Sequence, residues 1–351
     1  TAGTTTITGA IETLNITSSG SANTVALVAA SATTLNISGD QNITLSGAGT
    51  TGAATINAAS ATGDVTITSD AAASTAATLT GGTGDDSITL TGSNTATDTV
   101  SSGAGDDTIT FTADLADADV IDGGAGTDTL VGTTANLRGL TTENNVSNIE
   151  VIQVSNAHTG TLTTATVQSG VSAVTLAAGS NAGTVVLPAG SATVTLGTAN
   201  AGATTITDTG LATNDSLTIN TNKAANSING QAIAVNGYET VTLDTSSATA
   251  KTVNTINVTG DADAAGTRTA ATLTLTGAAS LTTTGAITLG GGTNYGTIDA
   301  SGMTGAFVMG AAAAAVNSIT GGAGADTLLG ANIASTLTGG AGIDAITGGT
   351  A

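Results

Sequence analysis

Residues 81–131 read GGTGDDSITLTGSNTATDTVSSGAGDDTITFTADLADADVIDGGAGTDTLV, and the nonapeptide G-G-x-G-x-D-x-apolar-x within them decides the fold. It appears in full at 81–89, 123–131, 321–329 and 339–347, and 102–110 lacks only the first glycine. The glycines permit a turn that a Cβ would block. The apolar residue at the eighth position (Ile88, Ile109, Leu130, Leu328, Ile346) anchors a short strand in a core. Starts at 81, 102 and 123 step by 21, and starts at 321 and 339 step by 18. Two nonapeptides make a coil of 18, and three extra residues on the far side make one of 21. The expected fold is all-β: an elongated, right-handed parallel β-solenoid, or β-roll, in which each strand pairs with its equivalent one coil later.

The rest of the chain carries the same strand signals at about ten-residue intervals, as at 14–16, 35–37, 65–67, 174–176, 194–196, 217–219, 241–243 and 273–275. Gly, Asn, Asp and Ser fill the gaps. With 2 Phe, 2 Tyr and no Trp, the core must be narrow and filled by aliphatic and small side chains. The regular Val, Ile and Leu spacing excludes disorder. No helical periodicity is visible. The expected segments are solenoid coils at 1–80, calcium-binding turns at 81–131, coils at 132–320 and a second set of turns at 321–351. Thr1 is not preceded by Met, and Gly348-Gly349 opens a further repeat, so the stretch reads as part of a longer chain.

The chemistry follows from the motif. Calcium takes six to eight oxygens, and glycine turns can present backbone carbonyls while the sixth-position aspartate adds charge. The candidate ligands are Gly82, Gly84 and Asp86; Gly103, Gly105 and Asp107; Gly124, Gly126 and Asp128; Gly322, Gly324 and Asp326; and Gly340, Gly342 and Asp344. Asp86, Asp107 and Asp128 are expected to stack in one column, so that adjacent turns share ions. Ten aspartates fall between Asp85 and Asp128, and no Lys or Arg precedes Arg138. Two carboxylates at about 4 Å repel by about 4 kcal/mol at an effective dielectric near 20. A cation is required for this segment to fold stably.

Composition excludes other classes. The net charge of −21, with Arg138, Lys223, Lys251 and Arg268 the basic residues, argues against nucleic acid and anionic membrane surfaces. Cysteine is absent, and no apolar run is long enough for a membrane span. No nucleophile–base spacing stands out, so no enzymatic activity is expected. His158 is expected at the surface. Asp261-Ala262-Asp263 reads equally as a further calcium site or a solvated turn. Glu12, Glu150 and Glu239 recur in an apolar-Glu-x-apolar-x-apolar pattern, read either as solvated strand edges or as contacts between modules or subunits.

The GGxGxD repeats resemble the RTX family, whose members are secreted by the type I route and fold on meeting external calcium. The Thr- and Ala-rich coils around them, the stretch LVAASATTLNISGD (27–40) and IDASGMTG (298–305) are similar to RTX-type bacterial surface-layer proteins. That resemblance implies a calcium-dependent two-dimensional lattice of this chain, built from hexamers on the outer membrane. It also implies anchoring to lipopolysaccharide through a domain not among these residues. An RTX adhesin or biofilm matrix protein is the alternative.

Overall fold

The computed structural model describes the chain except residues 1–3, 8–10, 29–31, 47–53, 70–75, 93–95, 114, 142–144, 198–201, 211–213, 222–227, 229, 247–248, 262–267, 292–293 and 350–351. Asp114, Lys223, Ala262 and Asp263 therefore lie outside the described residues. The chain is an all-β parallel solenoid. It divides into two units, residues 1–153 with 165–171, and residues 154–164 with 172–351.

In the first unit, one face stacks Thr13–Ser18, Thr34–Gly39, Thr55–Ala61, Thr78–Thr80, Thr99–Ser101, Val120–Asp122 and Val146–Ser147 in parallel. The other stacks Thr4–Thr6, Asn23–Val28, Ile43–Ser46, Val65–Ser69, Ser87–Leu90, Thr108–Phe111 and Thr129–Gly132. Ser87 pairs with Thr108 and Thr108 with Thr129, which is the 21-residue step of the sequence. Alternation along each short strand sends every second residue inward. Leu35, Ile56, Leu79, Val100 and Ile121 form one buried column, and Ile67, Ile88, Ile109 and Leu130 another, none more than 1% exposed. Each such side chain contributes about 2 kcal/mol by burial. Outward residues also stack: Asn36 Nδ2 donates to Asn15 Oδ1 at 2.8 Å.

The second unit follows the same plan with less regular coils. One face runs through Ala173–Leu176, Ser191–Leu196, Ser216–Asn220, Thr240–Asp244, Thr272–Gly277, Asn294–Met303, Val316–Thr320 and Thr336–Thr338. The other begins His158–Thr163, Ser180–Leu187, Thr204–Asp208, Gln231–Asn236 and Lys251–Thr259. It then passes Leu281–Thr283 and Phe307–Met309 to Thr327–Leu329 and Ala345–Thr347. Paired residues lie 32 apart at Thr240 and Thr272 but 18 apart at Thr327 and Ala345. The coil shortens to two nonapeptides where the glycine motif returns.

One reading changes, that of His158, and among the described residues two short helices interrupt the strands without altering the all-β class. Short helices occur at Thr134–Gly139 and Thr164–Val167. They span one or two turns, too few to print a helical period on the sequence. Thr133 caps the first, its hydroxyl accepting from Asn136 N at 3.3 Å. His158 is not at the surface: it is 0% exposed, with Nε2 3.0 Å from the Thr184 carbonyl oxygen. Gly183 makes room, since a Cβ there would lie 2.2 Å from the imidazole Cδ2. Among the described residues, no helix is long and apolar enough to cross a membrane.

Candidate metal centre

The glycine turns stack as the spacing predicts, and the aspartates join successive turns through the backbone. Asp86 Oδ1 accepts from Val65 N at 2.7 Å, Asp107 Oδ1 from Asp86 N at 2.6 Å, and Asp128 Oδ1 from Asp107 N at 2.8 Å. Each carboxylate thus closes an amide of the preceding coil. An adjacent ladder runs the other way. Asp64, Asp85 and Asp106 accept from the amides of Asp85, Asp106 and Thr127 in the following coil.

The turns differ in what they leave over. In the first turn of each run the second carboxylate oxygen is used inside the turn: Asp86 Oδ2 accepts from Gly82 N and Asp326 Oδ2 from Gly322 N, both at 2.6 Å. Gly82, Gly84, Gly322 and Gly324 do not adopt positive φ there. In the following turns the glycines do, at φ 110° and 116° for Gly103 and Gly105, 88° and 140° for Gly124 and Gly126, and 96° and 111° for Gly340 and Gly342. Asp107 Oδ2 and Asp128 Oδ2 are then buried with no hydrogen-bond partner. Ser102 Oγ lies beside Asp107 and donates to the Gly123 carbonyl at 2.8 Å. A Cβ on Gly105 would lie 2.4 Å from the Gly84 carbonyl oxygen, and one on Gly126 2.0 Å from that of Gly105. Only glycine lets these carbonyls approach.

Electrostatics mark the same positions. Asp86, Asp107 and Asp128 are at most 2% exposed. Burial, reinforced by neighbouring carboxylates, pushes Asp86 and Asp128 up to about 6 and raises Asp107, against the opposing pull of backbone amides and, at Asp107, of the Ser102 hydroxyl. An orphaned, buried, anionic oxygen in a frame of carbonyls fits a hard cation of calcium type. When bound, calcium supplies the positive charge the column lacks. Asp107 and Asp128 would hold it, with the turn carbonyls at Gly103, Gly105, Gly124 and Gly126. In the last run Asp344 Oδ1 accepts from Asp326 N at 3.0 Å, repeating the same join.

Several participants escaped the motif. Asp98 and Asp119, 2% and 1% exposed, form a second buried column: Asp98 Oδ1 accepts from Ala77 N at 2.7 Å and Asp119 Oδ1 from Asp98 N at 2.9 Å. Their separation of 21 was the available signal. Glu150 continues the main column, Oε2 accepting from Asp128 N at 2.8 Å. Glu239 is 9% exposed and accepts from the Asp215 and Asp261 amides at 3.0 and 2.9 Å. These two glutamates brace neighbouring coils and are not solvated strand edges; Glu12 is exposed.

The model of the RTX calcium-binding nonapeptide repeat matches residues 74–109, 113–136 and 314–332, in four copies. The chain therefore carries RTX-type calcium-binding repeats. The match takes in the motifs that begin at 81, 102, 123 and 321. No curated protein and no solved structure matches the chain.

Proposed function

We propose that this chain is a non-catalytic structural protein of a bacterial surface layer, secreted by the type I route and assembled outside the cell. Calcium would convert its coils into rigid rods that pack into a two-dimensional lattice of hexameric units. The observation that supports this best is the pairing of two properties: buried carboxylate columns that demand a cation, and outward Thr and Asn columns repeated from coil to coil. Small polar side chains on a rigid surface lose little rotamer entropy on contact, so weak contacts add across a lattice. Extracellular calcium modules bind at about 10⁻⁴–10⁻³ M, above cytosolic calcium, so assembly would wait for export. Anchoring to lipopolysaccharide is assigned to a further domain.

Negative-stain microscopy of the purified chain across a calcium titration is the test. Ordered sheets above about millimolar calcium support the proposal. A chain that binds calcium fully yet stays monomeric at every concentration overturns it, as do sheets formed in excess chelator. Isolated fibres in place of sheets would assign it to the adhesins.

A further inference from the structure

Outside every GGxGxD repeat, within the second unit, three aspartates meet. The ligand oxygens of Asp208, Asp215 and Asp261 lie within 4.8 Å of one another. Asp208 ends the strand Thr204–Asp208, Asp215 precedes Ser216–Asn220, and Asp261 follows Lys251–Thr259. They are 8%, 2% and 9% exposed. Asp208 Oδ1 accepts from Gly210 N at 2.7 Å and Asp215 Oδ1 from Gly190 N at 2.6 Å. These bonds fix both side chains, and the Oδ2 atoms of all three aspartates are buried without a hydrogen-bond partner.

A second observation points to a ligand. The Tyr238 hydroxyl is buried and unpartnered in a side chain that is 0% exposed. Its chain neighbour Gly237 lies against Asp208, where a Cβ would be 2.8 Å from Oδ1, and burial first, then the charges of Asp208 and Asp215, raise the hydroxyl's pKa. Glu239 braces the frame: Oε2 accepts from Asp215 N at 3.0 Å, while Oε1 accepts from Asp261 N at 2.9 Å and Thr269 Oγ1 at 2.8 Å. Arg268 lies near enough to Asp261 to oppose the rise that burial causes in that carboxyl's pKa, and Arg268 Nη1 donates to the Gly260 carbonyl at 3.1 Å. Burial and the adjoining Asp215 push Asp208 up to about 7.

We propose that Asp208, Asp215 and Asp261, with the Tyr238 hydroxyl, form a buried calcium site separate from the RTX turns. The donors are all hard oxygens, which suit calcium, magnesium or manganese and not the softer transition metals. Magnesium keeps several waters and demands a tight octahedron, whereas calcium accepts a loose carboxylate cage. The site staples coils whose paired residues lie 29 apart at Thr204 and Ile233 and 32 apart at Thr240 and Thr272. There the repeating glycine turn is absent, and a metal at the corners replaces its register. The aspartate in 261–263 acts with two partners from earlier coils.

The test uses the full chain and terbium(III), which substitutes for calcium at oxygen sites and is sensitised by a nearby tyrosine. The chain has no Trp and 2 Tyr, and Tyr295 is 40% exposed. Tyrosine-sensitised emission, displaceable by calcium, is expected. Tyr238→Phe and the pair Asp208→Asn/Asp261→Asn should each abolish it, whereas Tyr295→Phe should leave it. Equilibrium dialysis should show one calcium fewer per chain for the aspartate pair. Asp208→Asn alone, which keeps the side-chain shape, carries the same expectation should the pair fail to fold. Emission that survives Tyr238→Phe or Asp208→Asn, or an unchanged calcium count in the folded aspartate variant, overturns the proposal.

Discussion

Asp128→Asn should change the sign of its effect with calcium. Asp128 is 0% exposed, with Oδ1 on the Asp107 amide and Oδ2 unpartnered. Its carboxyl is pushed from the ordinary 3.8 up to about 6, chiefly by burial. At about 1.4 kcal/mol per tenfold in proton affinity, holding it ionised costs the calcium-free fold about 3 kcal/mol at pH 7. Asparagine keeps an oxygen for the Asp107 amide and removes the charge. The variant should then gain about 2–3 kcal/mol in chelator at pH 7, and less than about 1 kcal/mol at pH 4, where the folded wild type is already protonated. In saturating calcium the variant lacks one anionic ligand. Charge count sets calcium affinity over decades, so a tenfold loss or more is expected, about 1.4 kcal/mol of linked stability per tenfold. Urea unfolding, read by proteolysis within residues 81–131, measures both. With a slope of about 2–3 kcal/mol/M, the chelator gain moves the midpoint up by about 1 M. Destabilisation of equal size in both conditions would refute the reasoning, because Asp128 would then act only through its amide bond.

Without calcium, the wild type should grow more stable as pH falls from 7 towards 4: Asp86 and Asp128, both raised to about 6, contribute stability that is full below 3.8 and lost as pH rises through 6. A thermal midpoint that falls on acidification in chelator would contradict this. Asp107→Asn should lower calcium stoichiometry or affinity more than Asp128→Asn, since Asp107 sits mid-column between two turns; titration calorimetry showing equal losses would oppose the stacked arrangement. Gly105→Ala, at φ 116° with the Gly84 oxygen 2.4 Å from its new Cβ, should cost more than about 3 kcal/mol, whereas Gly20→Ala, at φ 81° with nothing within 4 Å, should cost about 1 kcal/mol by thermal unfolding.

What the sequence makes legible is what repeats at fixed spacing. The 21-residue step of Asp86, Asp107 and Asp128 reappears as the parallel register of Ser87, Thr108 and Thr129. The 18-residue step of the last motifs reappears at Thr327 and Ala345. Period-2 alternation names the core, because Ile88, Ile109 and Leu130 can only point one way when Thr points the other. Direction is less visible. Nothing in GGTGDD against SGAGDD says that Asp86 will fold its second oxygen onto Gly82 N while Asp107 leaves its own bare. Asp208, Asp215 and Asp261 share no repeat distance, since the coils that carry them differ in length. His158 reads as surface because its burial depends on Gly183, a residue of the next coil.

The carboxylate columns carry two opposed demands, and the two oxygens of each group divide them. Amide bonds from the neighbouring coil favour the ionised form, while burial and the acids alongside disfavour it. Protonation settles the second demand at the expense of the first, because a protonated carboxyl accepts less strongly from Asp86 N or Asp107 N. A cation on Oδ2 settles both, leaving Oδ1 on its amide. Calcium would therefore add to the amide bonds that already join Asp86 to Asp107 and Asp107 to Asp128. The backbone ladder fixes which residue lies over which in these turns, and the unpartnered Oδ2 atoms are where a metal would act on the stability of the stack.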